Sequence, residues 1–269
     1  MIDLHCHILP GIDDGAKKLA VSLEMGRIAQ QDGIEAIACT PHITPGVFNN
    51  DAWIIHDAVE KLQEAFLAEG IDIQLFSGAD IHVSPDMATN VPNGSWPSLA
   101  GTRYFLFEPP HHVLPPNIVK LAKSMLNAGW IPLLTHPERL TWIEAHYDVI
   151  KTLDEAGVLV QITAGAITGR FGERPQYWSE RLLEEGRVDV IATDAHSIRG
   201  RPPLLREGFE AAARITGEQA AWAMVHDTPL LILNNQAVPQ KRRNNVSAKS
   251  RPARKGRHGL FGWLQRGKG

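Results

Sequence analysis

Short apolar, β-branched runs along the chain alternate with longer stretches whose apolar residues recur at helical spacing. This is the pattern of a parallel sheet with crossover helices. The apolar runs predict seven strands, at residues 2–5, 34–39, 73–77, 104–107, 131–135, 158–163 and 188–192. Helical periodicity predicts helices over 20–32, 52–69, 116–128, 143–156 and 177–185, with Gly33, Gly70, Gly129, Gly157 and Gly186 standing where each should stop. After Arg206 a further helical stretch runs to Met224 and a short apolar run covers 230–233. The expected architecture is α/β, with one domain over residues 1–235.

From residue 236 the periodicity is lost. Residues 236–269 read as a basic, disordered C-terminal tail, because dense like charge without apolar spacing cannot offset the entropy of ordering. From Lys241 onward there are ten Lys or Arg and no Asp or Glu, so the overall −3 conceals 17 basic and 30 acidic side chains in residues 1–240. An acidic body argues against nucleic acid as a partner. The basic tail, with Leu260, Phe261, Trp263 and Leu264 near its end, suits weak contact with an anionic membrane through residues 241–269. No secretory leader or membrane-spanning run is apparent, and Cys6 and Cys39 fall inside predicted strands, so a cytoplasmic protein with reduced thiols is expected, peripheral to the membrane at most.

The polar residues cluster by position. Six of the seven predicted strands run into residues able to bind a metal: His5 and His7, His42, Asp80, Glu108, His136, and Asp194 with His196. In a β/α barrel such strand ends share one face, where the chemistry of that architecture sits. The spacing of His5 and His7 puts both side chains on one side of a strand, and Asp194 with His196 repeats it. Imidazole with carboxylate suits zinc, manganese or iron, and the donors outnumber what one tetrahedral ion takes, so two or three ions sharing a bridging carboxylate are expected. Such a centre hydrolyses phosphate esters with a metal-activated water. Arg139, three residues after His136, and Arg201, just after the Asp194–His196 pair, are placed to grip phosphate oxygens.

Other chemistries fit less well. A cysteine phosphatase needs an arginine six residues after its nucleophile, but Ile12 and Pro45 occupy those positions, and no Gly-x-Ser-x-Gly or P-loop sequence is present. His56, His146, His226 and His258 are read as structural or tail residues. His82, His111 and His112 lie beside the strand-end face and are left unassigned.

The motifs IDLHCHILPGIDDG, TPH, GADI, FLFEPP, THPERL, FGER and TDAHSIRGRPP, in this order over residues 1 to about 233, resemble the PHP-domain protein-tyrosine phosphatases of bacterial capsule and exopolysaccharide operons, the CpsB/CapC type. The resemblance implies a distorted seven-stranded (β/α) barrel of the PHP type holding three divalent ions, commonly Mn2+, with iron, zinc or cobalt as alternatives. It assigns His5, His7, Asp80 and Asp194 to the first ion, Asp80, Glu108 and His136 to the second, and Asp14, His42 and His196 to the third. Arg139 and Arg201 fall on its phosphate-binding positions. The implied substrate is phosphotyrosine on a membrane tyrosine autokinase, the implied role regulation of polysaccharide synthesis. The family's bridging position usually carries glutamate, and Asp80 is one methylene shorter. Three other readings stand beside this one: a histidinol-phosphate phosphatase on the same barrel, a nuclease or phosphodiesterase of the same fold, and a non-catalytic metal-binding scaffold.

Overall fold

The computed structural model describes residues 1–239. Nine parallel strands alternate with helices: β1 (Ile2–Cys6), α1 (Leu19–Asp32), β2 (Ala36–Cys39), β3 (His42–Ile43), α2 (Ala52–Ala68), β4 (Gln74–Ser77), β5 (Asp80–His82), α3 (Met87–Asn90), β6 (Tyr104–Glu108), α4 (Ile118–Asn127), β7 (Ile131–Thr135), α5 (Ile143–Ala156), β8 (Leu159–Thr163), α6 (Ala164–Ile167), α7 (Glu173–Glu184), β9 (Val190–Ala192), α8 (Arg206–Thr216), α9 (Glu218–Trp222) and α10 (Thr228–Leu233). The strands form a three-stranded sheet, β1-β2-β4, and a six-stranded sheet, β3-β5-β6-β7-β8-β9. A parallel bridge between Cys6 and Ala195 joins the end of β1 to the segment after β9.

Each predicted strand is present, and the second and third are each followed by a short further strand, β3 and β5, that the apolar runs did not predict. Pro41, with no N–H to give to a ladder, separates β2 from β3. Gly78 and Ala79 separate β4 from β5. Pairing resumes beyond both breaks, with His42 opposite Asp80 and the Asp80 N–H donating to the Pro41 carbonyl at 3.1 Å. The breaks carry His42 and Asp80 into the second sheet.

The glycine stops are where the sequence puts them. Gly33 closes α1 in the left-handed region at φ 88°, its N–H returning to the carbonyls of Ala29 and Gln30. Helix α2 starts at Asp51, whose carboxylate accepts from the Ile54 N–H, and buries Ile55, Val59, Leu62 and Phe66 along one stripe. Helix α7 begins at Glu173 rather than at residue 177. Pro175 lies in its first turn, where a missing N–H costs nothing, so that proline does not delay the helix.

Two apolar clusters flank the strands. The larger lies between strands and helices and includes Phe66, Phe105, Phe107, Leu134 and Ile162. The smaller gathers Ile2, Leu4, Tyr104, Leu106, Leu133, Val190 and Ala192 on the other side of the strands. Side chains alternate with period two, so the face that carries Tyr104 and Leu106 on β6 continues to Glu108, and the face of Leu159 on β8 continues to Gln161. One end of this inner layer is apolar and the C-terminal end is polar.

The chain remains packed past the expected domain end, with Tyr104 donating its hydroxyl hydrogen to the Gln236 carbonyl at 2.6 Å. The remainder of the expected tail, including the membrane contact over 241–269, lies outside the described residues. No helix among the described residues is long and apolar enough to cross a membrane.

Candidate metal centre

The strand ends converge. His5 and His7, at the end of β1, are fully buried, with their Nε2 atoms 3.1 Å apart and each 3.3 Å from Asp194 Oδ1. Asp80, at the start of β5, points Oδ2 at His5 Nε2 at 3.3 Å and at His42 Nδ1 at 3.4 Å. His42 Nδ1 also faces Glu108 Oε2 at 3.4 Å, while its Nε2 faces Asp14 Oδ1 at 3.6 Å. His196 Nε2 lies 3.3 Å from the same Asp14 oxygen. His136 Nε2 faces Glu108 Oε1 at 3.8 Å. All nine expected donors therefore join in one connected cluster.

Among the described residues the donors gather in overlapping groups, each within 4.8 Å: His7, Asp14, His42 and His196; His5, His7 and Asp80; His5, His136 and Asp194; His42, Asp80 and Glu108; and Glu108, His111 and His136. Asp80 belongs to two of them, so the shorter carboxylate still lies between two donor groups. Both its oxygens are buried without a hydrogen-bond partner, as are Nδ1 of His42 and Nδ1 of His136. Orphaned buried carboxylate oxygens are costly unless a cation takes them up. The donor set and its unsatisfied atoms fit divalent metal ions.

The backbone is bent to make this possible. His136 (φ 34°) and Asp194 (φ 50°) both occupy the left-handed region that non-glycine residues avoid. The Asp194 N–H donates to the His5 carbonyl at 2.8 Å and the His7 N–H to the Ala195 carbonyl at 2.9 Å, which fixes the two ligand-bearing segments against each other.

Several contributors escaped the sequence reading. Asp13 Oδ2 accepts from His7 Nδ1 at 2.7 Å and from the His42 N–H at 3.1 Å, and Asp13 Oδ1 accepts from the Gly15 N–H at 2.8 Å. Gly15 lies so close to His7 that a Cβ there would meet the His7 carbonyl oxygen at 2.1 Å. Gln161 Oε1 stands 2.9 Å from His5 Nδ1, so β8, the strand without a metal donor at its end, orients one instead. Asp3 accepts from the N–H and hydroxyl of Thr193, tying β1 to the segment before Asp194. Polar residues inside otherwise apolar strands, Asp3 and Gln161, were the signal available for two of these.

Arg139 and Arg201 both reach Asp194 Oδ2. Phe171, in FGER, lies against them, its ring centre 4.8 Å from the Arg139 guanidinium carbon and 5.8 Å from that of Arg201. Burial works against the Asp194 carboxylate, but His5, Arg201 and Arg139 outweigh it and hold its pKa well below the ordinary value. Burial likewise opposes charge on His5, yet Asp80 and Asp194 raise its pKa to about 9. His42 is raised to about 10: burial opposes its charge, and the facing Glu108, Asp80 and Asp14 carboxylates prevail. His196 goes the other way, to about 4, through burial and the neighbouring His7.

Comparison with known proteins agrees with this picture. The family model described as "Capsular polysaccharide synthesis, CpsB/CapC" matches residues 1–234. The tyrosine-protein phosphatase YwqE of Bacillus subtilis is 32% identical over 249 residues, covering 90% of this chain and 98% of YwqE. A putative tyrosine-protein phosphatase, CapC of Staphylococcus aureus, is 30% identical over 78% of this chain and 82% of its own. In three dimensions the chain superposes with a TM-score of 0.85, at 32% identity, on a chain from the crystal structures of YwqE and of CpsB from Streptococcus pneumoniae, described as unique metal-dependent tyrosine phosphatases; 91% of this chain and 100% of that one are covered.

Proposed function

The chain belongs to the CpsB/CapC family of capsular polysaccharide synthesis, and on that premise we propose that it is a metal-dependent tyrosine-protein phosphatase whose active site is the cleft at the strand ends. The observation that carries the metal part of this reading is Asp80, whose two buried oxygens lack any hydrogen-bond partner while two donor groups share its side chain. We read the two sheets as one distorted seven-stranded barrel over residues 1–235, supported by the Cys6–Ala195 bridge and by the pairing that resumes beyond Pro41 and Gly78.

His5, His7, Asp80 and Asp194 would hold one ion, Asp80, Glu108 and His136 a second, and Asp14, His42 and His196 a third, with Mn2+ the ion of choice. Bound there, divalent ions supply a polarised phosphate and a water acidic enough to act near neutral pH. The protein's own contribution is orientation and charge. Asp13 and Gln161 fix the rings of His7 and His5, so that each Nε2 faces the cleft. Arg139 and Arg201, now on Asp194 Oδ2, present guanidinium N–H groups at the edge of the same cleft, where they can grip the phosphate and balance charge as the ester bond breaks.

The substrate is a phosphotyrosine protein, read here as a tyrosine autokinase of polysaccharide export. Basic residues 241–269 would hold the enzyme weakly at the anionic membrane where that kinase sits; unchanged liposome co-sedimentation after their deletion would remove this part of the reading. The activity itself is tested by parallel turnover of a phosphotyrosine peptide and histidinol phosphate with Mn2+ present. Hydrolysis of the peptide, abolished by chelation and restored by Mn2+, is expected. Exclusive turnover of histidinol phosphate, or an inert metal-loaded protein, would overturn it.

A further inference from the structure

The donor group around Glu108 and His136 contains a residue outside the nine already assigned, His111. Its Nε2 lies 3.8 Å from Glu108 Oε1, the oxygen that His136 Nε2 also faces at 3.8 Å. The two imidazoles stand 5.1 Å apart between ring centres, inclined at 64°. Asp80 gathers with His5 and His7 and with His42 and Glu108, whereas the group that unites Glu108 with His136 takes His111 instead.

The loop that carries His111 is fastened in place. It leaves β6 through Pro109 and Pro110, whose rings fix φ. Thr141 donates to the His111 carbonyl from its N–H at 2.9 Å and from its hydroxyl at 3.0 Å, and Trp142 Nε1–H donates to the Pro110 carbonyl at 3.0 Å. These bonds tie the loop to the same turn that bears His136 and Arg139, so the three side chains are positioned as a unit. Neighbouring histidines differ. His82 Nδ1 is 3.7 Å from the other Glu108 oxygen but joins no donor group, and the His112 ring lies 6.4 Å from that of His111, in no group either. The His111 side chain is 31% exposed and that of His136 only 2%, so His111 stands on the solvent side of this group.

We propose that His111 is a further metal ligand, joining Glu108 and His136 in holding a divalent ion from the open side of the cleft. The proposal rests on the metal-phosphatase reading above and adds one residue to it.

The test is equilibrium dialysis of the full chain against buffered free Mn2+, with retained metal measured by elemental analysis, for wild type, His111→Ala and His112→Ala. At a free Mn2+ concentration that just saturates wild type, His111→Ala is expected to retain about one equivalent less, recovered only at about tenfold or higher free Mn2+. His112→Ala should match wild type. A measurement on the unmutated chain guards against misfolding of the variant: diethyl pyrocarbonate modification of His111, located by mass spectrometry, should be suppressed by Mn2+. Wild-type affinity in a folded His111→Ala, or equal modification with and without Mn2+, would overturn the proposal and leave the phosphatase reading intact. A wild-type chain that binds no divalent ion would overturn both.

Discussion

Asp13 and His7 share a hydrogen bond of 2.7 Å, the carboxylate accepting from Nδ1, with both side chains buried. A proton held on Nδ1 leaves the Nε2 lone pair directed at Asp194 and the cleft, which is the tautomer a metal needs. Asp13→Ala removes that constraint without removing a proposed ligand. Mn2+ affinity should fall about 10–100-fold and activity should be largely recovered at high Mn2+; an affinity equal to wild type in titration calorimetry would show that Asp13 serves only the backbone of its loop.

What was legible in the sequence was what local chemistry dictates. Strand positions followed from apolar runs, helix ends from glycines such as Gly33 and Gly157, and the clustering of histidines and carboxylates from their recurrence at strand ends. What escaped depends on tertiary closure. Asp13 was overshadowed by Asp14 beside it, and only the fold shows that the first faces His7 while the second faces His42 and His196. His111 was placed beside the strand-end face but left unassigned, because the direction of its loop is set by Thr141 and Trp142, more than two dozen residues away. The short strands β3 and β5 were missed because each holds only two or three residues beyond Pro41 and Gly78, too few to show a period.

Metal affinity should rise steeply with pH. In the metal-free protein His5 titrates near 9 and His42 near 10, so both are protonated at neutral pH and must lose those protons to bind a metal. His196, near 4, is already neutral and adds nothing to the slope. Calorimetry in buffers of different ionisation enthalpy should detect proton release on Mn2+ binding at pH 7 and much less at pH 10. The sign for the metal-free fold is opposite. A raised imidazole pKa stabilises below the unfolded value of about 6.5 and is lost as pH rises through 9 to 10, so the chelated protein should melt at a lower temperature at pH 9.5 than at pH 6.

Replacing Arg139 or Arg201 by Lys separates phosphate recognition from metal binding. Both guanidiniums bond Asp194 Oδ2 and neither is a proposed ligand, so replacing one of them should not weaken Mn2+ binding. Catalysis should suffer, because an ammonium cannot reproduce the two-pronged contact with phosphate oxygens. A fall in kcat/KM of about 10²–10³-fold for each variant, at unchanged metal content, is the expected result. A parallel loss of metal and activity would show that the arginines act through the metal site alone.

Phe171 offers the means to adjust those arginines without touching them. Its ring lies beneath both guanidiniums, and room for it is kept by Gly165, where a Cβ would come within 3.1 Å of the Phe171 ring. Cation–π contacts of this kind contribute about 0.5–2 kcal/mol. Phe171→Ala should therefore loosen both arginines, lowering kcat/KM for a phosphotyrosine peptide by about 2–30-fold while metal content stays constant. Phe171→Tyr keeps the aromatic face and should restore most of the loss, whereas Phe171→Leu, of similar apolar character without the quadrupole, should not. Equal rescue by leucine would mean that the ring only fills space, and the arginines would then owe their placement to Asp194.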